Sequence, residues 1–127
     1  TVAVRALQLA QGVVANQIGA EASSIARVTR VVRMIESAPE MTHGLASLAR
    51  SARLSRYHFL RTFEGLTGAT PHQFLLRLRL RRAACQLRTE STKILQVALD
   101  CGLNDLSNFN RAFRAEFGVS PRRYRSS

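Results

Sequence analysis

The chain repeats itself, and that constrains its fold more than any other feature. At an offset of 50, Ser55 meets Asp105, Phe59 meets Phe109, Arg61 meets Arg111, Phe63 meets Phe113 and Gly68 meets Gly118. Thr70-Pro71 then meets Ser120-Pro121, and Phe74 meets Tyr124. Upstream the offset falls to 49, pairing Leu48 with Val97, Ala49 with Ala98, Ala52 with Cys101 and Leu54 with Leu103. One extra residue in the second turn, Asn104, accounts for the change. Caps, core positions and helix stops recur together, so each copy is one supersecondary unit.

Each copy has the grammar of a helix-turn-helix. Ala49 or Ala98 lets two helices approach, a short turn follows, and a capped helix projects outward. In the first copy a short helix over about 43–51 turns Leu45, Leu48, Ala49 and Ala52 inward, and Arg53-Leu54 makes the turn. Ser55 caps a helix through Leu66, with Phe59, Phe63 and Leu66 on its core face and Gly68 at its end. In the second copy Ile94, Val97, Ala98 and Cys101 share a face, Gly102-Leu103 turns, and Asp105 caps a helix bearing Phe109, Phe113 and Phe117. Gly102 suits a tight turn; Arg53 stands where glycine is easier, which predicts a first turn that is either strained or differently shaped.

Between the copies, Thr70 as cap and Pro71 at the first position open a helix over about 71–88. It is apolar over much of its circumference, which reads as a strut packed on more than one side. A last short helix follows Ser120-Pro121 and carries Tyr124. Residues 24–36 predict a helix capped by Ser24, with Ile25, Val28, Val32 and Ile35 as its stripe. In residues 1–22 Leu7, Ala10, Val14 and Ile18 could share a helix face, but Gly12 and Gly19 weaken it, and the segment reads as a linker, or as the remnant of an N-terminal effector or dimerisation domain. A chain that starts on Thr is expected to be processed or cut from something longer, and Gln8, Gln11, Asn16 and Gln17 interrupt any secretory signal. The expected organisation is therefore 1–22, a first lobe over about 23–70, the strut over about 71–88 and a second lobe over about 89–127. The fold class is all-α, with two helix-turn-helix subdomains joined by a central linker helix.

Charge narrows the partner. Residues 41–127 hold 15 basic and 5 acidic groups, and 18 of the chain's 19 cations are Arg. The planar guanidinium fork matches phosphate oxygens and the guanine edge, so a polyanion is expected, nucleic acid before membrane. No metal site is expected, because Cys85 and Cys101 form no CxxC and His43, His58 and His72 lack ligand spacing. Both cysteines sit in apolar helical context and read as buried free thiols of a reducing compartment. No acid–base pair or activated thiol supports catalysis, so no enzyme and no cofactor are expected.

Two stretches carry a family likeness. One runs without a gap from Val97-Ala98-Leu99-Asp100-Cys101-Gly102-Leu103-Asn104-Asp105-Leu106-Ser107-Asn108-Phe109 on to Pro121; the other is Leu54-Ser55-Arg56-Tyr57-His58-Phe59-Leu60-Arg61-Thr62-Phe63 with Thr67 to Pro71. From about Ile25 to Arg125 the chain resembles the DNA-binding domain of AraC/XylS-family transcription regulators. Arg53 and Leu103 depart from the usual turn glycine and aromatic. The resemblance implies seven helices in homeodomain-like lobes, and a bacterial, cytoplasmic, nucleoid-associated regulator of promoter DNA. Both recognition helices would enter successive major-groove segments, with output through RNA polymerase contact or blockage.

By the same resemblance Tyr57, Leu60 and Arg61 meet base edges in the first copy, and Ser107, Asn110 and Arg111 in the second. Arg suits guanine O6 and N7, and Asn suits adenine N6 and N7. Arg61 otherwise pairs with Glu64, Tyr57 otherwise covers the turn, and Leu60 either meets a thymine methyl or packs at the lobe edge. Phosphate contacts are expected from Arg56, Thr62, Thr92, Lys93 and Arg114. Of Arg77, Arg79, Arg81 and Arg82 on the strut, some should satisfy interior carbonyls or acids, while Arg122, Arg123 and Arg125 read as a solvated face. An architectural DNA binder, an alkyl-transfer enzyme and a membrane-surface protein are the competing classes.

Overall fold

A computed structural model describes residues 2–41 and 43–127. Among the described residues there are helices and no strands: α1 (Val2–Ser37), α2 (Leu45–Ser51), α3 (Arg56–Thr67), α4 (Pro71–Thr89), α5 (Ile94–Asp100), α6 (Leu106–Phe117) and α7 (Pro121–Ser126). They form two compact units, Thr1–Met34 with His43–Ala69, and Ile35–Thr42 with Thr70–Ser127. α4 packs on α5, α6 and α7 and so belongs to the second unit.

The caps work as their chemistry demands. Ser55 Oγ accepts from His58 N–H, Asp105 Oδ1 from Ser107 N–H, and Ser120 Oγ from Arg123 N–H. Thr70 and Gln73 exchange both bonds of a capping box, with Pro71 at the first turn. Each such cap stabilises its helix by about 1 kcal/mol. Gly68 (φ +74) and Gly118 (φ +79) end α3 and α6 in the left-handed region.

The two turns are the same hydrogen-bonded motif. After α2, Arg53 N–H donates to Arg50 O and Leu54 N–H to Ala49 O, both at 3.0 Å. After α5, Gly102 N–H donates to Leu99 O at 3.0 Å and Leu103 N–H to Ala98 O at 3.1 Å. This pair of bonds is the Schellman stop, which needs a left-handed residue at the first position past the cap. Gly102 meets it at φ +88 and Arg53 at φ +56, the one non-glycine with positive φ among the described residues. The strain expected at Arg53 is present, at a cost of about 1–2 kcal/mol. An arginine braces each turn: Arg27 Nη1 donates to Arg53 O at 3.2 Å, and the Arg79 guanidinium lies against Gly102.

Cores form where the phenylalanines repeat. Phe59 and Phe63 are fully buried in the first unit with Val28, Val31, Leu48 and Ala49. Phe109 and Phe113 are fully buried in the second with Leu80, Leu87, Val97 and Ala98. Phe113 lies 4.6 Å from Phe117 and 5.3 Å edge-on from Tyr124, centroid to centroid, and Arg88 stacks 4.5 Å from the Tyr124 ring. Such contacts add to the burial term by about 1 kcal/mol each.

Several sequence expectations change. The break before Ser24 is absent: α1 runs unbroken from Val2, and Ser24 sits inside it, its hydroxyl donating to Ala20 O at 3.1 Å. Gly12 and Gly19 lower helix propensity without interrupting the hydrogen-bond ladder. The buried stripe of α1 is Val28, Val31 and Ile35, while Ile25 is exposed and Val32 half-buried. Leu45 and Leu66 are also exposed, because each lies near a helix end beyond the phenylalanine layer. Cys101 is buried, which pushes its thiol up to about 11, against a smaller opposing effect of Arg79. Cys85 is exposed, since it lies off the buried face Leu80, Ala83, Ala84, Leu87 of α4.

Candidate nucleic-acid interface

The candidate faces are the outward sides of α3 and α6. With Phe59 and Phe63 inward, Arg56, Tyr57 and Arg61 are exposed, and Leu60 and Thr62 are half-buried. Tyr57 keeps 73% of its surface, so it does not cover the turn. Arg61 forms no ion pair among the described residues, so Glu64 does not neutralise it. On α6, Ser107, Asn110, Arg111 and Arg114 are all exposed, one helix side away from Phe109 and Phe113.

A groove accompanies each face. In the first unit it holds about 1070 Å³ and brings Tyr57, His58, Arg61 and Thr62 together with Gln17 and Glu21 of α1. In the second it holds about 690 Å³ and gathers Asn110, Arg111 and Arg114 with Ser120 and Arg122. The sequence treated Arg122 as solvated surface and missed this grouping, although its place two residues after Ser120 was visible. No local pattern signals Gln17 or Glu21, because their place beside α3 depends on α1 running unbroken through Gly12 and Gly19.

Four other arginines are engaged within the fold. Arg79 Nε donates to Pro39 O at 2.7 Å and Nη2 to Met41 O at 3.2 Å. Arg82 pairs with Glu40 at 2.8 Å, and Arg77 approaches Glu116 at 3.9 Å. The expectation that some strut arginines serve carbonyls and acids holds. Arg125 departs from its expected solvated role: Nε donates to Leu87 O at 3.1 Å and Nη2 to Glu90 O at 3.3 Å, closing the end of α4. Thr92 Oγ donates to Glu90 at 3.1 Å, and Lys93 stands exposed before α5. Neither lines the groove that holds Arg111. Among the described residues no cluster of metal-binding side chains occurs and no helix is long and apolar enough to cross a membrane.

Residues 48–127 match a family model described as a helix-turn-helix domain. The DNA-binding domain of AdpA, solved in complex with a target DNA, superposes with a TM-score of 0.72 at 31% identity, over 78% of this chain and 89% of that one. The chain belongs to the AraC/XylS family of DNA-binding domains. An AraC-type regulator from Chromobacterium violaceum gives a TM-score of 0.73 at 30% identity, covering 83% of this chain and 94% of that one. Among curated relatives, the regulator ArgR of Pseudomonas aeruginosa is 33% identical over 111 residues, 87% of this chain and 33% of its own length. LumQ of Photobacterium leiognathi is 39% identical over 80 residues, 63% of this chain and 32% of its own. The chain spans about a third of the length of these AraC/XylS relatives. Their names describe them as transcriptional regulators.

Proposed function

We propose that this AraC/XylS-type domain reads promoter DNA, with α3 and α6 entering successive major-groove segments about 34 Å apart. The observation that carries the reading is the shared turn: one Schellman stop, built twice, sets a capped helix behind each of two exposed, unpaired guanidiniums, Arg61 and Arg111. Tyr57, Leu60 and Arg61 read one half-site, and Ser107, Asn110 and Arg111 the other. Arg56, Thr62, Lys93 and Arg114 hold phosphates, joined by Arg122; Thr92 contributes once it leaves Glu90. A cytoplasmic, nucleoid-associated role follows from this ligand.

The regulator's remaining parts are an upstream effector or dimerisation domain and RNA polymerase as the target of output. The first half of α1 supports the upstream domain. Every residue from Val2 to Ser23 is exposed, and Arg5 and Glu21 are its only charges. Leu7, Val14 and Ile18 line one side of the helix, and Val2, Leu9 and Val13 the opposite side. Up to Val14, a stretch apolar on opposite sides belongs inside a larger folded body, which leaves residues 17–24 beside α3.

Selection from random-sequence DNA tests the reading. It should enrich a bipartite motif with half-sites about one helical turn apart. Arg61→Ala and Arg111→Ala should each cost about 1–3 kcal/mol and relax base preference in one half-site. Recovery of no motif would overturn sequence-specific binding.

A further inference from the structure

We propose that the groove between α1 and α3 seats one sugar–phosphate strand of the bound duplex, and that Glu21 limits how tightly it is held. The inference rests on α3 being a recognition helix, as argued above. It concerns the flank of that helix facing α1, where the base-reading Tyr57 and Arg61 meet Gln17 and Glu21.

The major groove of B-DNA is about 12 Å wide. An α-helix with its side chains is about 10–12 Å across. One helix fills it. With α3 inserted, a second helix running beside the same reading residues has no room there. It must lie outside the rim, and the rim is a sugar–phosphate strand. α1 is such a helix: Gln17 and Glu21 on it share a groove with His58, Arg61 and Thr62 of α3. The strand therefore passes through the space between the two helices.

The lining suits that occupant on one wall and opposes it on the other. His58 and Thr62 supply donors from α3 beside the base-reading Arg61, and Gln17 supplies an amide from α1. Ala20 keeps the α1 wall low, so a strand can approach its backbone. Glu21 is the one carboxylate in the lining, whereas Glu64, the other acid of the first unit, lies outside it. A carboxylate facing a phosphate repels it, so Glu21 sets an upper limit on affinity and keeps binding responsive to sequence.

The test uses the whole chain and the bipartite site it selects, with affinity followed by fluorescence anisotropy over a salt series. Glu21→Gln should bind about threefold tighter, the size expected for two charges a solvent layer apart in high dielectric. Glu21→Lys should bind about tenfold tighter, with a log–log salt slope steeper by about 0.9, one added phosphate contact. In a Cys85→Ser background, Ala20→Cys carrying an iron chelate should cut one strand at the rim of the α3 half-site. Unchanged affinity and slope in both Glu21 variants would overturn the proposal, as would absence of cutting on bound DNA. The recognition reading has its own failure, no enriched motif with the wild-type chain. A recovered motif with inert Glu21 variants therefore removes the groove alone.

Discussion

Exchanging the residues at the two turns should move stability in opposite directions. Arg53 adopts φ +56 and Gly102 φ +88 in the same hydrogen-bonded stop. An L-residue pays about 1–2 kcal/mol there. Glycine returns about 0.4–1 kcal/mol through the freedom of its unfolded state. Arg53→Gly should therefore stabilise the first unit by about 0.5–1 kcal/mol. Gly102→Ala is worse than the reverse of that change. A Cβ at 102 would stand 2.9 Å from Arg79 Nη1, whose guanidinium is tethered by its bonds to Pro39 O and Met41 O. Moving it weakens hydrogen bonds worth about 1 kcal/mol each. The sum is a loss of about 2–3 kcal/mol, confined to the second unit. Urea titrations give the size of each change, and amide hydrogen exchange reads the units separately. A double-mutant cycle with Arg79→Met isolates the contact, since Gly102→Ala should cost about 1 kcal/mol less without the guanidinium. An equal cost in both backgrounds, or a destabilising Arg53→Gly, would refute the account.

Three further outcomes follow from the same coordinates. At pH 8 a maleimide should label Cys85 in the folded chain while Cys101 stays unlabelled, because burial holds its thiol up at about 11 and the thiolate is scarce; mass spectrometry after timed quenching checks it. Asp100 is held below the ordinary carboxylate range by Gln86 and then Gln96, which donate at 3.1 and 2.9 Å. A folded value depressed below the unfolded one gives stability that is full above the unfolded value and fades as pH falls through the folded one. Asp100→Asn should therefore flatten the acid side of the stability profile below about pH 4 and leave its neutral side unsteepened. Phe113→Ala should cost about 3–5 kcal/mol, since it removes a fully buried ring in contact with Phe109, Phe117 and Tyr124; thermal melts followed by circular dichroism measure it.

The sequence determined what short range governs. Caps at Ser55, Thr70, Asp105 and Ser120, the stops at Gly68 and Gly118, and inward phenylalanines every four residues depend on bonds and faces within one or two turns. The repeat carried that local chemistry into a duplicated helix-turn-helix, and even the cost at Arg53 was legible, because one half supplied glycine at the same place. Most base-reading candidates were legible too, as whatever faces away from Phe59 and Phe109; the exposures of Tyr57, Arg61, Asn110 and Arg111 follow.

Tertiary structure alone decided where long side chains and unsupported segments go. Arg79 reaches carbonyls 38 and 40 residues away, and Arg125 reaches 35 and 38 residues back, and no local pattern names such partners. Cys85 and Cys101 look alike in sequence and differ in burial, because burial depends on which neighbouring helix covers a face. The continuity of α1, and with it the meeting of Gln17 and Glu21 with Arg61, lay beyond any reading of propensity. Local hydrogen bonds and periodicity can be summed along a chain, whereas a contact between distant residues exists only once the helices between them have taken their places.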